Sequence, residues 1–463
     1  MVYLHTLKSY LNEVKQQIIR IRSFVKKDYE VAAILSKTDD GPIVLFENIE
    51  GYNFKIVGNV CSNRKRLFES FKANESNYHE KIYYAMENPL QCDIVNGPYF
   101  KIDQSFKVSD LPIPKHYESE KREYITSGIV IGRLEENNIQ NSSIHRLMKL
   151  DDETFAIRIV PRHLYTMLQE CKKNKKALNI AICVGAHPAV YLASGLSPKY
   201  GYDHVHVANR LLNGSLHQFK CNNGVYALSE SEIIMEGYID PFEEVDEGPF
   251  TDLTGTADIV RKQPVVHIKK LYVNKNSLYQ DILPGKNEHF LLMGTGKEVM
   301  IYKYVERIIP YVRKVRLTKG GCNWLIAIAS IKKNREGDAK NVISACFAAH
   351  PSLKIAIVVD EDIDPDNFEE VQWALATRLK PSKGIVIIND ATVSSLDPSS
   401  DQEQALGSKL GIDATMSFKK PINKYIRSKI PVDEERIKEI LDQAIITKQE
   451  EQILTDDGER VEL

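Results

Sequence analysis

The densest group of ionisable residues is Pro241-Phe242-Glu243-Glu244-Val245-Asp246-Glu247-Gly248-Pro249-Phe250-Thr251-Asp252. It follows an apolar, strand-like run and contains Gly-Pro, so it reads as a loop hung from a rigid strand, a frequent seat for catalytic acids. Only Gly-Pro-Phe-Thr separates Glu247 from Asp252, a turn tight enough to bring both carboxylates to one pocket. Two carboxylates beside a cation split their pKa values and leave one as a proton donor. A solvated acidic turn is the plain alternative. Asn141-Ser142-Ser143-Ile144-His145-Arg146 offers an amide and a guanidinium to a phosphate or carboxylate. His163 opens a helix after Val160-Pro161-Arg162, and a helix N-terminus beside an Arg favours an anion. In Asp203-His204-Val205-His206, carboxylate and imidazole suit a divalent metal, or else simply begin a helix or strand.

Other patterns fail on spacing. Gly294-Thr295-Gly296-Lys297 is followed by Glu298 and lacks the Gly-Lys-Ser/Thr of a phosphate loop. Asp360, Asp362 and Asp364 imitate a calcium loop, but Pro365 and Val371 stand where Gly and the bidentate Glu belong. A strand end leading into a helix capped by Asp364 or Asp366 accounts for these acids better. The seven cysteines form no C-x-x-C pair and read as buried free thiols of a reducing compartment.

The elements that must position these groups fill 463 residues, enough for two to four domains at roughly 100–200 residues each. With 61 basic and 63 acidic residues the net charge is −2, so no global field recruits nucleic acid or an anionic membrane. No apolar window approaches the roughly 18 residues of a membrane span, and the N-terminus lacks a signal pattern. The expectation is a cytoplasmic protein without nucleic-acid or membrane partners.

Leu4, Leu7, Leu11, Val14 and Ile18 stripe one helix, and Val31–Leu35 with Ile43–Phe46 flank Asp39-Asp40-Gly41 as a hairpin. Residues 1–115 thus read as a small α/β domain. Residues 116–305 hold short β runs (128–132, 155–159, 178–182, 233–238, 265–268) and one helix at 162–172, which suggests a barrel. Residues 306–430 alternate strand and helix, the rhythm of a mostly parallel, helix-covered sheet. Residues 431–463 form a helix from Asp433, striped by Ile437, Ile440, Leu441, Ala444 and Ile445, and a frayed end from Thr455. The fold class is a multi-domain α/β protein.

The run from Glu236-Gly237-Tyr238-Ile239 through Glu247-Gly248-Pro249-Phe250-Thr251-Asp252-Leu253-Thr254-Gly255 resembles the signature of the UbiD family of decarboxylases. So do Leu406–Thr415 and Trp373–Arg378, in consistent order between about residue 30 and residue 420. The resemblance implies reversible, non-oxidative decarboxylation of an unsaturated or aromatic acid with prenylated FMN. It also implies an N-terminal α/β domain, a central split β-barrel that binds the flavin, and a C-terminal α/β domain that helps the chain form a homo-oligomer, a dimer or hexamer.

Carried over residue by residue, the resemblance makes Arg146, Glu247 and Asp252 the catalytic network, with Asp252 the proton-transferring acid. Asn141, His163 and His204 become ligands of Mn²⁺ (or Mg²⁺) which, with K⁺, bridges the cofactor phosphate. Arg146, Arg162, His163, Lys409 and the segment Ser194, Gly195, Leu196 and Ser197 become cofactor contacts. The family places a glutamate where His204 stands, and neighbouring Asp203 is the other available donor. A flavin prenyltransferase would supply the cofactor. Arg335–Asn341 and Ser394–Ser399 are similar to an archaeal-type branch, which ranks trans-anhydromevalonate 5-phosphate first as substrate. An aromatic or heteroaromatic acid such as a hydroxybenzoate comes next, and a flavin-binding protein without turnover is the further alternative.

Overall fold

A computed structural model describes residues 4–428, 430–442, 453–454 and 460–461. Six antiparallel strands close into a barrel in the order Ile233–Glu247, Arg261–Tyr272, Thr154–Ile157, Ile139–Lys149, Tyr124–Leu134 and Leu178–Val184. Side chains alternate across a strand, and here both faces are apolar. Ile129, Ile131, Ala181 and Cys183 pack with the helices Pro188–Gly195 and His204–Leu211. Val130, Ile180, Ile182, Val184, Ile233 and Met235 pack together in a second cluster. Each such fully buried aliphatic contributes about 1.5–3 kcal/mol relative to exposure.

The strands Ile18–Val25, Ile43–Ile49 and Lys55–Gly58 form an N-terminal sheet, completed by Leu278–Gln280, which returns after the barrel. The C-terminal sheet runs Val312–Leu317, Ile326–Ile331, Ile355–Asp360, Leu406–Ala414, Ile385–Thr392. Its two inner pairings are parallel and both edges antiparallel. All of this lies in one unit, Met1–Ser417; Phe418–Leu463 forms a second. Among the described residues no helix is long and apolar enough to cross a membrane. The seven cysteines are free thiols, six of them buried.

Several local expectations are corrected. The first helix is Leu7–Glu13 only, and Ile18 begins a strand that pairs with Ile43–Ile49. Val31–Leu35 is not a hairpin strand but part of the helix Glu30–Lys37, which buries Val31, Ala32 and Leu35 on one face. A short apolar run satisfies either period. The acidic run is not a loop: Ile233–Glu247 is one strand of 15 residues. Pro241 cannot donate to the ladder, and the register shifts between Asp240 and Glu244 to absorb it. Pro188–Gly195 and Asn287–Glu306 were invisible as helices because they are buried on most sides and carry no clean stripe. Asn367, rather than Asp364 or Asp366, caps Phe368–Thr377, while Arg378 takes Asp360 and Asp362. The C-terminal helix is Glu434–Asp442; Ala444, Ile445 and most of 455–463 lie outside the described residues.

The helix Asn287–Glu306 is the hub. Gly294 allows its backbone to meet the Asn323 carbonyl, which a Cβ would approach to 2.2 Å, and Gly296 lies against Leu196. These glycines therefore serve packing rather than phosphate binding. On the same helix, buried Glu298 accepts from Arg64, from the Tyr78 hydroxyl at 2.5 Å, from Arg316 at 3.0 Å and from the Leu317 amide at 3.0 Å. One carboxylate thus ties the N-terminal region to the C-terminal sheet. Removing it strands buried cations, so Glu298→Ala is expected to cost about 3–5 kcal/mol, read as a fall in thermal midpoint. An unchanged midpoint would contradict this role.

Candidate active site

Arg146, on the barrel strand Ile139–Lys149, is the centre of the site. Nε and Nη2 donate to the two oxygens of Glu247 at 3.0 and 2.8 Å, Nη1 donates to Asp252 at 2.5 Å, and Nη2 also reaches Asp258 at 3.1 Å. The Phe250 ring lies 4.5 Å beneath the guanidinium. Burial disfavours the charged arginine, but Glu247 and Asp252 outweigh it and hold the guanidinium firmly protonated. Burial raises the Asp258 carboxyl, and the Arg261 and Arg146 contacts bring it below the usual range. The three acids differ in access. Glu247 is sealed behind Arg146, with its side chain 0% exposed, whereas Asp258 and Asp252 both line the cavity, at 1% and 16% exposed.

That cavity holds about 620 Å³ and lies between the barrel and the C-terminal sheet, within the usual range for small-molecule and cofactor sites. Asn141, Arg146, Arg162, His163, Ser194, Gly195, Leu196, Ser197, His204 and Asp252 all line it, so residues spread over more than a hundred positions converge. Glu247 sits behind Arg146. Lys409 does not line the cavity: its Nζ donates to the carbonyls of Pro351 and, at 2.8 Å, Leu353. It therefore fixes the turn that presents Ser352 to the cavity, rather than touching a ligand there. Gly195 is needed for packing as well, since a Cβ would come within 2.2 Å of the Leu292 carbonyl.

One row of alternating side chains presents Asn141. The Arg158 carbonyl accepts from His145 Nδ1 at 2.9 Å, which leaves Nε2 as acceptor for the Ser143 hydroxyl at 2.8 Å. Ser143 Oγ in turn accepts from Asn141 Nδ2 at 3.2 Å, which turns Asn141 Oδ1 towards His163 Nδ1, 3.2 Å away. Burial pushes His145 down to about 4, so the relay is neutral. The opposite face of the strand goes to Asp203. Its carboxylate accepts from Ser142 at 2.5 Å, Gln140 at 2.7 Å, the Val205 amide at 3.0 Å and Gln218 at 3.1 Å. Asp203 is therefore a saturated helix cap. His204 is in the cavity wall, 6.0 Å from His163 between ring centroids, with Nδ1 buried and unpartnered. Burial holds both imidazoles below their usual range, that of His204 at about 4. Among the described residues no three His, Cys, Asp or Glu side chains converge as a metal site; two imidazoles and one oriented amide oxygen do meet here, and that set fits a divalent cation.

The wall also carries cations without acid partners. Arg158 has only a marginal 3.5 Å contact to the Ile159 carbonyl, and Arg162, an exposed residue at the cavity's edge, forms no ion pair among the described residues. Just behind the wall, Lys297, held down to about 8 by burial and by Arg162, donates to the lining residue Ser197 at Oγ, 3.3 Å away. Such a surface suits an anion such as a flavin phosphate. Sequence reasoning missed Asp258, Arg158 and His289. His289 Nδ1 accepts from the Gly285 amide at 3.2 Å, leaving Nε2–H to donate, beside Asp252 in the cavity. Residue type singles out none of them; only the fold does.

The floor rests on a buried ion pair. His116 lies 3.1 Å from Asp281 and 3.4 Å from Glu120, and Asp281 also accepts from Thr126, a cavity residue, at 3.2 Å. Burial lowers the His116 pKa, but Asp281 and Glu120 outweigh it and raise it from 6.5 to about 10. A histidine raised on folding stabilises fully below its unfolded value and loses that contribution as pH rises through the folded one. The stability advantage over His116→Gln should therefore shrink as pH climbs from 6.5 to about 10, as measured by urea unfolding. An advantage that grows over that window would contradict this pairing.

Residues 11–86, 94–287 and 290–414 match, in turn, the N-terminal, Rift-related and C-terminal domains of 3-octaprenyl-4-hydroxybenzoate carboxy-lyase, the UbiD family models. The anhydromevalonate phosphate decarboxylase of Methanocaldococcus jannaschii is 41% identical over 409 residues, covering 88% of this chain and 96% of that protein. The UbiD-class enzyme HmfF from Pelotomaculum thermopropionicum, solved with FMN, superposes with a TM-score of 0.90 at 33% identity, covering 95% of this chain and all of that one. An evolved dimeric form of HmfF with prFMN gives a TM-score of 0.85 at 31% identity, over 96% and 99% of the two chains.

Proposed function

This chain belongs to the UbiD family of carboxy-lyases, and from that premise we propose that it decarboxylates anhydromevalonate phosphate with prenylated FMN held in the barrel-side cavity. The observation that carries the chemistry is Arg146 bound to three carboxylates, of which Asp252 and Asp258 line the cavity and Asp252 is the more exposed. The substrate follows the archaeal relative and suits a cavity in which the lining residues Arg158 and Arg162, and Lys297 behind Ser197, lack acid partners among the described residues. Cofactor phosphate, substrate phosphate and substrate carboxylate together need more positive charge than a simple aromatic acid does.

A guanidinium has five N–H groups. Glu247, Asp252 and Asp258 take four on Arg146, leaving one on Nη1 for the substrate carboxylate. The sealed Glu247 pair fixes the plane of that fork. When bound, prenylated FMN supplies a sink for the electron pair left behind by CO2. Asp252 then delivers a proton to the carbon that carried the carboxylate and recovers it through the cavity opening. His289 Nε2–H lies beside it to orient the substrate, and the cavity walls restrict water.

Asn141, His163 and His204 would hold a divalent metal for the flavin phosphate, with K⁺ as a second cation and Arg162 and Lys297 adding charge. The Ser194–Ser197 segment would line the flavin edge. A flavin prenyltransferase supplies the cofactor, and the enzyme works in the cytoplasm, in keeping with its free thiols. Self-association into a dimer or hexamer is part of the same reading, supported by the edge strand Ile385–Thr392, on which Ile387 is 64% exposed. Asp252→Asn should lower CO2 release from anhydromevalonate phosphate by about 10²–10⁴-fold while flavin is retained, measured on anaerobically purified holoenzyme. An unaltered rate would remove Asp252 from the reaction.

A further inference from the structure

The flavin-phosphate end of the cavity differs from an ordinary hard-cation site in one respect: among the described residues the only acids in the lining, Asp252 and Asp258, are held by Arg146. Asp203, the nearest acid in sequence, lies on the other side of the Ile139–Lys149 strand. There Gln140, Ser142, Gln218 and the Val205 amide occupy its oxygens. It cannot turn to the cavity without uncapping the helix His204–Leu211 and leaving buried donors unpaired. The groups that remain are Asn141 Oδ1 and the rings of His163 and His204.

Each is prepared as a neutral donor. Asn141 is turned by the Arg158 carbonyl, His145 and Ser143 in sequence, so that its oxygen and not its amide nitrogen meets His163. His204 Nδ1 is buried without a partner, so the ring nitrogen left for the cavity is Nε2. An imidazole that carries its proton on one nitrogen presents a lone pair at the other. Imidazole suits Fe²⁺, Co²⁺, Ni²⁺ and Zn²⁺, whereas Mg²⁺ and Mn²⁺ favour carboxylate and water oxygens.

We propose that the Asn141–His163–His204 site selects an imidazole-preferring divalent ion, of the Co²⁺, Ni²⁺, Zn²⁺ or Fe²⁺ kind, over Mg²⁺ and Mn²⁺. The proposal rests on the flavin reading only in what the metal is for; the donor set stands by itself. Metal stoichiometry is measured by elemental mass spectrometry after equilibrium dialysis of the full chain against Mg²⁺, Mn²⁺ or Co²⁺, with and without FMN, and FMN retention is read separately by absorbance.

The expected result is one Co²⁺ per chain at a concentration well below that needed for Mg²⁺ or Mn²⁺. His204→Glu should narrow the Co²⁺-to-Mg²⁺ affinity ratio by about tenfold or more. Asn141→Asp, which adds an anionic oxygen at a different donor, should shift the ratio in the same direction and guards against a folding defect in either variant. Co²⁺ bound with that selectivity but no FMN retained would support the donor set while removing the flavin reading. FMN bound stoichiometrically with no metal, or with a ratio that neither variant changes, would overturn the proposal.

Discussion

A single buried guanidinium organises this molecule's chemistry. Moving Arg146 from water into the protein carries a desolvation cost of several kcal/mol, recovered only if its N–H groups are met in good geometry. The barrel meets that demand. Its strand Ile139–Lys149 carries the arginine, the far end of Ile233–Glu247 brings Glu247 into a two-point contact, and the turn that follows supplies Asp252 and Asp258. Three carboxylates around one cation leave a net negative cluster, which Arg261 partly balances through Asp258. Of the three acids, Asp252 is the most exposed, at 16%.

Over residues 140–143 the same strand divides its two faces between structure and ligand binding, while further along Ile144 and Arg146 also reach the cavity. Gln140 and Ser142 hold the cap of the helix His204–Leu211, while Asn141, Ser143 and His145 form a hydrogen-bonded row along the cavity. A shift of one residue in register would exchange these roles completely. Closure of the barrel, which leaves this strand no free edge, is therefore a condition of the site and not only of stability. The far wall is set independently. Trp324 donates to Ser394 Oγ at 3.2 Å, and Lys409 holds the 351–353 turn, so the C-terminal sheet offers its loops to the barrel's cavity.

Much of this was legible before any fold was known. The β runs of the barrel showed as short apolar stretches between turn residues, and Glu247 and Asp252 were paired by the short turn between them. The helix beginnings at His163 and at Asp203-His204 were marked by residue type. What stayed hidden had physical reasons. Val31–Leu35 is too short and too apolar for its period to separate helix from strand, and Pro188–Gly195 is buried on nearly every side. The Gly-Pro of the acidic run argued for a loop, but only Gly248-Pro249 leaves the strand, while a register shift between Asp240 and Glu244 carries it past Pro241 to Glu247. Asp258, Arg158 and His289 act only through neighbours distant in sequence, and Lys409 serves a turn rather than the cavity. Asp203 and His204 were interchangeable donors on paper; four hydrogen bonds to Asp203 separate them.

The most direct test of the Arg146-centred account isolates proton transfer from CO2 loss. Holoenzyme is incubated in D2O with the decarboxylated product and no CO2, and exchange of the hydrogen on the carbon that had carried the carboxylate is followed by NMR. If the sealed Glu247–Arg146 pair is what places Asp252, Glu247→Gln should slow this exchange by about tenfold or more while the flavin content stays that of the unaltered protein. Exchange at an undiminished rate in Glu247→Gln would show that Asp252 needs no such positioning and would contradict the account.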